Sequence, residues 1–373
     1  MVKKFKISRK LLRELDFITI ITVILLVIFS SINIYSATHL NYGNHYLKAQ
    51  LFGLVVGLIL IYFILLPDYS IIKSYADVIY LFGVFLLILN CLPIFKLTVN
   101  GASSWIKIGP ITLQPSEFAK IGIIIMLAKQ LDDMEGRINE IKNFLKLTAY
   151  AALPMILIVI QPDMGMTMVC FFIVLGIYFT SGLDLKIIGG GITSLIVAIA
   201  IFWNSPLMQP HWKRRLISFL DPGADPLGAG FQLAQSEIAI GSGGIMGKGF
   251  LKGTQISGGF IPEVHTDFIF AVVGEEWGLI GVLVLLLLYG IIIYRLIKIA
   301  KCSKDIFGSV ISVGIISTIL FSILQNIGMT IGIMPITGIT LPFMSYGRSS
   351  MLTGFMTLGL VLNIGMRKKK INF

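Results

Sequence analysis

The stretch IPEVHTDFIFAVVGEEWGLIGVLVLLLLYG, residues 261–290, passes from a polar segment into a long apolar run. An apolar helix of about 20 residues is long enough to cross the hydrocarbon core of a bilayer. Asp267 stands where the polar segment ends, and Glu275 and Glu276 lie two turns further in. A charge at such depth is costly, so each of these acids implies a partner or a task. The rest of the chain repeats the pattern. Of 373 residues, 56% are hydrophobic and only 13% are charged, and mean hydropathy is +0.89. A water-soluble domain of this length needs far more polar surface, so that class is excluded. Apolar runs near 17–38, 47–66, 75–95, 116–132, 145–161, 164–182, 186–204, 267–295, 306–328 and 344–366 predict an all-α polytopic membrane protein. It has about ten transmembrane helices in a single domain spanning 1–373. The N-terminus lacks the short core and small-residue site of a cleavable signal peptide.

Ten spans put both termini on one side. The tails, 1–16 and 367–373, together with the loops on their side hold 20 of the 30 Lys and Arg residues. The positive-inside rule therefore predicts that both tails are cytoplasmic. The net charge of +11 sits in short loops beside the membrane, which fits topology and anionic lipid and argues against nucleic acid. Cys91, Cys170 and Cys302 fall in spans or near the cytoplasmic face, so no structural disulfide is expected. No CxxC or HExxH pattern marks a zinc site.

Four polar islands interrupt the outer side. The largest, 205–266 between spans 7 and 8, holds the basic cluster HWKRR (211–215), eleven glycines and scattered large apolar residues. A segment with such anchors is expected to form an ordered extracytoplasmic loop. Its run GSGGIMGKGF (241–250) is not a P-loop, because Ser242 stands where the first Gly is needed and Gly249 follows Lys248. What remains is a tightly turning backbone able to offer N–H groups and Lys248 to an anion. In NGASSWIKIGPITLQPSEFAK (100–120), Pro115 and Ser116 open a helix, and Glu117 and Lys120 share one face of its first turns. A mutual salt bridge explains that pair as well as substrate contact does. QPDMGM (161–166) places Asp163 in an outer turn, and the Gly/Pro-rich 326–350 implies broken helix that packs in protein or lines a wet cavity. All four islands lie on one side, so Glu117, Asp163, Glu263, Asp267 and Lys120 are expected to converge on one external cavity.

These islands together resemble the SEDS family of bacterial envelope proteins (shape, elongation, division, sporulation). The resemblance rests on NGASSW, QPSEFAK, QPDMG, AIGSGGIMGKG with GTQ, PEVHTDFIFAVVGEE, and NIGM followed by PITGITLPFMSYG, in family order from about 100 to 350. GKGFLKGTQ (247–255) is similar to the members that serve elongation and cell shape. Three residues depart from the usual pattern: Ser104 before Trp105, Met166 for a Thr, and Arg348 for a Gly. The resemblance implies a peptidoglycan glycosyltransferase acting on lipid II, beside a class B penicillin-binding protein and other membrane proteins of the elongation machinery. It implies Asp267 as the prime catalytic residue and involvement of Trp105, Glu117, Lys120 and Asp163. Lys248, Glu263 and Ser345 of the SYG motif are further candidate substrate contacts.

That chemistry suits the residues. An acceptor hydroxyl needs a general base, and a carboxylate at the water–lipid boundary gains basicity from partial desolvation. A leaving diphosphate needs positive charge, from Lys120, from the 205–266 loop or from a divalent cation, Mg²⁺ or Mn²⁺, held by carboxylates. Glu275 and Glu276, roughly 12 Å deeper on the helix, read as structural pairing partners. Ionisable groups with broken helices also describe carriers, so a lipid II flippase is an alternative, as is a non-catalytic scaffold for the cross-linking enzyme.

Overall fold

The computed structural model describes residues 9–93, 95–99, 102–109, 111–203, 213, 219–221 and 228–368. The main helices are α1 (Phe17–Tyr42), α2 (His45–Leu65), α3 (Ala76–Cys91), α4 (Pro115–Asp133), α5 (Ile141–Ile160), α6 (Met164–Thr180), α7 (Leu185–Trp203), α8 (Ala229–Gly243), α9 (Ile269–Lys301), α10 (Ile306–Thr330) and α11 (Arg348–Met366). Each of the ten apolar runs forms one of them, and α8 is additional. Among the described residues, α1, α2, α5, α9, α10 and α11 are long and apolar enough to cross a membrane, and α3 and α6 are shorter apolar helices. The helix starts follow local chemistry. Asp16, Asp163 and Asp305 accept from the backbone N–H groups of Thr19, Met166 and Gly308 at 3.3, 3.0 and 2.8 Å. Such caps satisfy donors that the first helical turn leaves open. Pro115 begins α4, where its missing N–H costs nothing.

Helix α4 lies at the centre, buried on nearly every face, and α10 and α11 are the next most enclosed. It packs against α3 and α10, while α10 also meets α6 and α9, α2 lies along α11, and α1 along α9. The α3–α4 contact depends on small residues. A Cβ on Gly83 would lie 3.0 Å from Ala119 Cα, and one on Gly122 would lie 3.2 Å from Tyr80 Cα. Close backbone approach of this kind supplies dispersion contact that the hydrophobic effect cannot supply between helices in lipid. Phe52, Phe63, Leu283 and Leu287 lie on outward faces, more than half exposed, the surface that a bilayer solvates.

The all-α expectation needs one amendment. The outer segment before α4 forms a three-stranded antiparallel sheet, β1 (Lys96–Val99), β2 (Ala102–Ile108) and β3 (Ile111–Leu113), in that order. Leu97 pairs with Trp105, and Ile106 with Leu113. Alternating apolar residues flanking Asn100-Gly101 were the signal, since Asn-Gly favours hairpin turns.

In the long outer segment, the basic cluster at 211–215 lies outside the described residues apart from Lys213, as do 204–210 and 222–227. The tails beyond 9 and 368 do too. From 228 onward, α8 runs against the outer half of α9, which is broken at Gly278 (φ 61°, ψ −157°). Only glycine adopts that conformation without strain. The glycine-rich run fills the break. Leu279 and Ile280 N–H donate to the carbonyls of Gly244 and Ile245 at 2.9 and 3.1 Å. Lys248 and Gly249 N–H donate to those of Glu275 and Glu276 at 2.9 and 3.0 Å. The backbone groups released by the break are thereby satisfied.

Candidate functional site

A cavity of about 520 Å³ opens where the N-terminal ends of α4, α6, α9 and α11 meet the C-terminal part of α10. Trp105, Glu117, Lys120, Asp163, Glu263 and Asp267 all line it. They come from four stretches of chain, and the helix starts aim their side chains inward from different sides. Two other candidates lie elsewhere. Ser345 is buried and accepts from Leu341 N–H at 2.8 Å, closing a turn of the irregular segment. Lys248 is held by Glu275 and Thr254, each at 2.7 Å, so the anion it meets is the protein's own. Glu275 also accepts from Gln255 and Ile256 N–H, at 3.0 and 3.2 Å. Glu276 accepts from the hydroxyl of Ser36.

Asp267 is half-buried at the entry to α9. Asn326 sets its position, donating from one amide nitrogen to the carbonyls of Asp267 (2.9 Å) and Ile339 (2.7 Å). This ties the acid to the irregular 331–347 segment, where Gly338 has φ 73° and its absent Cβ would stand 3.4 Å from a carboxylate oxygen of Asp267. Lys120 and Glu117 form an ion pair at 2.7 Å, both nearly out of water. The hydroxyl of Thr353 on α11 meets the same carboxylate. Asp163 is buried, and burial raises its carboxyl above the ordinary aspartate value, with Glu117 adding to the rise. Met166 N–H, Gln114 and Ser104 oppose it by hydrogen bonding to the carboxylate.

The mouth also carries residues that were not among the candidate contacts. Tyr46 packs against His265 (ring centroids 4.5 Å apart) and Tyr346 (4.7 Å). Burial lowers the imidazole pKa of His265, and Glu263 draws it partly back. Arg348 is exposed on the rim, its Nε donating to the Tyr346 hydroxyl at 3.1 Å. Asn326, Gln114 and Thr353 act through contacts with other segments, which no local pattern announces. Among the described residues, no three His, Cys, Asp or Glu side chains come together to hold a metal ion. The arrangement is one of acids on a chamber of mixed polar and apolar walls, with one buried cation, Lys120, and one exposed cation, Arg348, among the described lining residues.

Residues 12–370 match the family model FTSW_RODA_SPOVE, described as a cell cycle protein. Stage V sporulation protein E of Bacillus subtilis is 34% identical over 96% of this chain and 97% of its own length. Peptidoglycan glycosyltransferase MrdB of Escherichia coli is 34% identical, covering 96% and 95%. Among solved structures, a chain from a peptidoglycan synthase complex, described for its coordination of polymerization and crosslinking, superposes with a TM-score of 0.80. It is 30% identical, covering 94% of this chain and 97% of that one. Rod shape determining protein RodA of Thermus thermophilus gives a TM-score of 0.72 at 27% identity, covering 95% and 98%.

Proposed function

The chain belongs to the FtsW/RodA/SpoVE family of multi-pass membrane proteins, and from that premise we propose that it is a peptidoglycan glycosyltransferase. Relatives that match along nearly their whole length carry that activity in their names. The observation that carries the reading to this chain's own residues is the gathering of Asp267, Glu117, Lys120, Asp163, Glu263 and Trp105 around one cavity.

The substrate is lipid II, and the product a β-1,4-linked glycan strand made during cell-wall elongation. The donor's anomeric carbon loses its α-linked diphosphate and gains the acceptor oxygen on the opposite face, a single inverting displacement. Asp267 takes the proton of the acceptor hydroxyl as the new C–O bond forms, and the diphosphate departs with the electron pair of the broken bond. The base sits on a helix entry fixed by Asn326, as positional precision demands. Mg²⁺ typically binds through one or two carboxylates plus substrate phosphates, so a divalent cation would enter together with the diphosphate and supply positive charge to it. All ten apolar helices cross the membrane, with both termini cytoplasmic. The likeness to a complex that couples polymerization with crosslinking supports a class B penicillin-binding protein as partner.

The test uses the purified full chain with labelled lipid II, alone and with that partner. Glycan strands from the wild type, and none detectable from a folded Asp267→Asn variant, are expected. Asn keeps the size and hydrogen bonding of Asp but cannot accept the proton, and losing a positioned base typically costs about 10²- to 10⁴-fold in rate. Protected transfer of lipid II across vesicles without strand formation would instead mean a flippase. Wild-type rates from Asp267→Asn would remove Asp267 as the base.

A further inference from the structure

We infer that Arg348 binds the diphosphate of the lipid-linked sugar at the rim of the cavity, beside Asp267, the proposed general base. The inference rests on the glycosyltransferase reading above for the identity of its ligand, and on the cavity's charges for the need. Four carboxylates, Glu117, Asp163, Glu263 and Asp267, line the chamber. Among the described lining residues, fixed positive charge comes from Lys120 and Arg348 alone. Lys120 is committed: it is buried, 2.7 Å from Glu117, and drawing it away would strand a buried carboxylate. A diphosphate brought among four acids needs a cation that is not already spent.

Arg348 has what that task requires. It is exposed where it lines the cavity. Its guanidinium carries five N–H donors, and among the described residues its one hydrogen bond is from Nε to the Tyr346 hydroxyl, at 3.1 Å. Tyr346 is itself packed against Tyr46, ring centroids 4.7 Å apart, so the arm is steadied on the rim while, among the described residues, its two terminal nitrogens carry no hydrogen bond. A planar fork of two N–H donors matches two phosphate oxygens. The backbone fixes where this happens. Tyr346 N–H donates to His265 carbonyl at 2.9 Å, which ties the residue two before Arg348 to the residue two before Asp267. Base and guanidinium are thus anchored to the same stretch of rim, flanking the place where a sugar carbon exchanges diphosphate for a hydroxyl oxygen.

The experiment uses the full chain in detergent or nanodiscs and inorganic pyrophosphate as probe, with wild type, Arg348→Gln, Arg348→Lys and Lys107→Gln. Lys107 is an exposed cation on β2 that does not line the cavity, so it controls for net charge. Pyrophosphate affinity is read from thermal shift, and substrate KM and kcat from strand synthesis. We expect Arg348→Gln to weaken pyrophosphate binding and raise KM about tenfold or more, the loss expected for a charge-assisted hydrogen bond. Arg348→Lys should fall between, Lys107→Gln should match wild type, and all four should melt alike without ligand. Arg348→Gln indistinguishable from wild type in both readouts overturns the assignment, as does an equal loss in Lys107→Gln. A wild type that binds pyrophosphate through Arg348 yet makes no strands, alone or with the cross-linking partner, overturns the glycosyltransferase reading instead and leaves the anion site standing.

Discussion

Glu117 and Lys120 are neighbours on the first turns of α4, and the sequence alone shows that they share a face but not whom they serve. The structure adds that both are nearly out of water and that Thr353, 236 residues away, shares the carboxylate. Breaking one half of such a pair leaves an uncompensated buried charge, which costs about 3–5 kcal/mol. Lys120→Met alone should therefore lower thermal stability severely, while Glu117→Gln with Lys120→Met should recover most of it. If the pair only makes itself tolerable in the membrane, the double variant should polymerise as well as it folds. If it meets substrate at the cavity wall, the recovered protein should remain inactive, which is the outcome we expect. The measurement is a melting curve paired with a strand-synthesis assay on each variant. Residues of this kind are legible by type and spacing, whereas Asn326, Gln114 and Tyr346 are not. Their positions are set by partners 13 to 300 residues distant, and a neutral polar side chain in a mixed segment carries no signal of its own.

At the scale of elements, the junction of α9 with the glycine-rich run is the least foreseeable part of the fold. Sequence reading places Glu275 and Glu276 as structural acids and offers Lys248 to a substrate anion. In the structure Glu275 and Lys248 satisfy each other, while Glu276 accepts from Ser36. Glu275 is wholly buried and accepts from Lys248 and from two backbone N–H groups of the loop. The helix break at Gly278 was hidden because one glycine in an apolar run is ordinary in a membrane helix, and only the loop that fills the gap explains it. Glu275→Gln tests the junction. An amide offers its NH₂ to a position where a backbone N–H already points, and it leaves the Lys248 ammonium without its counter-charge. Losing a hydrogen-bonded charge in this setting costs about 1.5–3 kcal/mol, so the melting temperature should fall by several degrees. Because Glu275 does not line the cavity, substrate KM measured below the new melting range should stay near wild type. A large rise in KM at full stability would show that the junction reaches the site.

For the whole molecule, the positions of the ten apolar helices were readable because a bilayer imposes one strict requirement, about 20 apolar residues with every backbone bond satisfied internally. The sheet before α4 escaped because strands outside lipid answer to weaker rules and span only a few residues each. Orientation is the property that the charge pattern speaks to most directly. Arg295 pairs with Asp16, Lys368 with Glu14, and Arg367 with Asp68, at 2.8, 3.4 and 3.2 Å. The start of α1, the end of α9 and the end of α11 therefore lie at one end of the bundle, as an even number of crossings requires. The cavity lies at the other end, because α11 begins there with Arg348 and runs away from it. The sequence assigns two-thirds of the chain's Lys and Arg to the tails and the loops expected on their side, and basic residues in short loops resist translocation. A reporter fused after Phe373 should accordingly read cytoplasmic, and one inserted near Gly223 should read external. On the proposed reading, lipid-linked sugars would then reach the cavity from the outer leaflet. Should both reporters read on the same side, the number of crossings between those points is even. Asp267 and Arg348 would then no longer be required to face the compartment in which the wall is built.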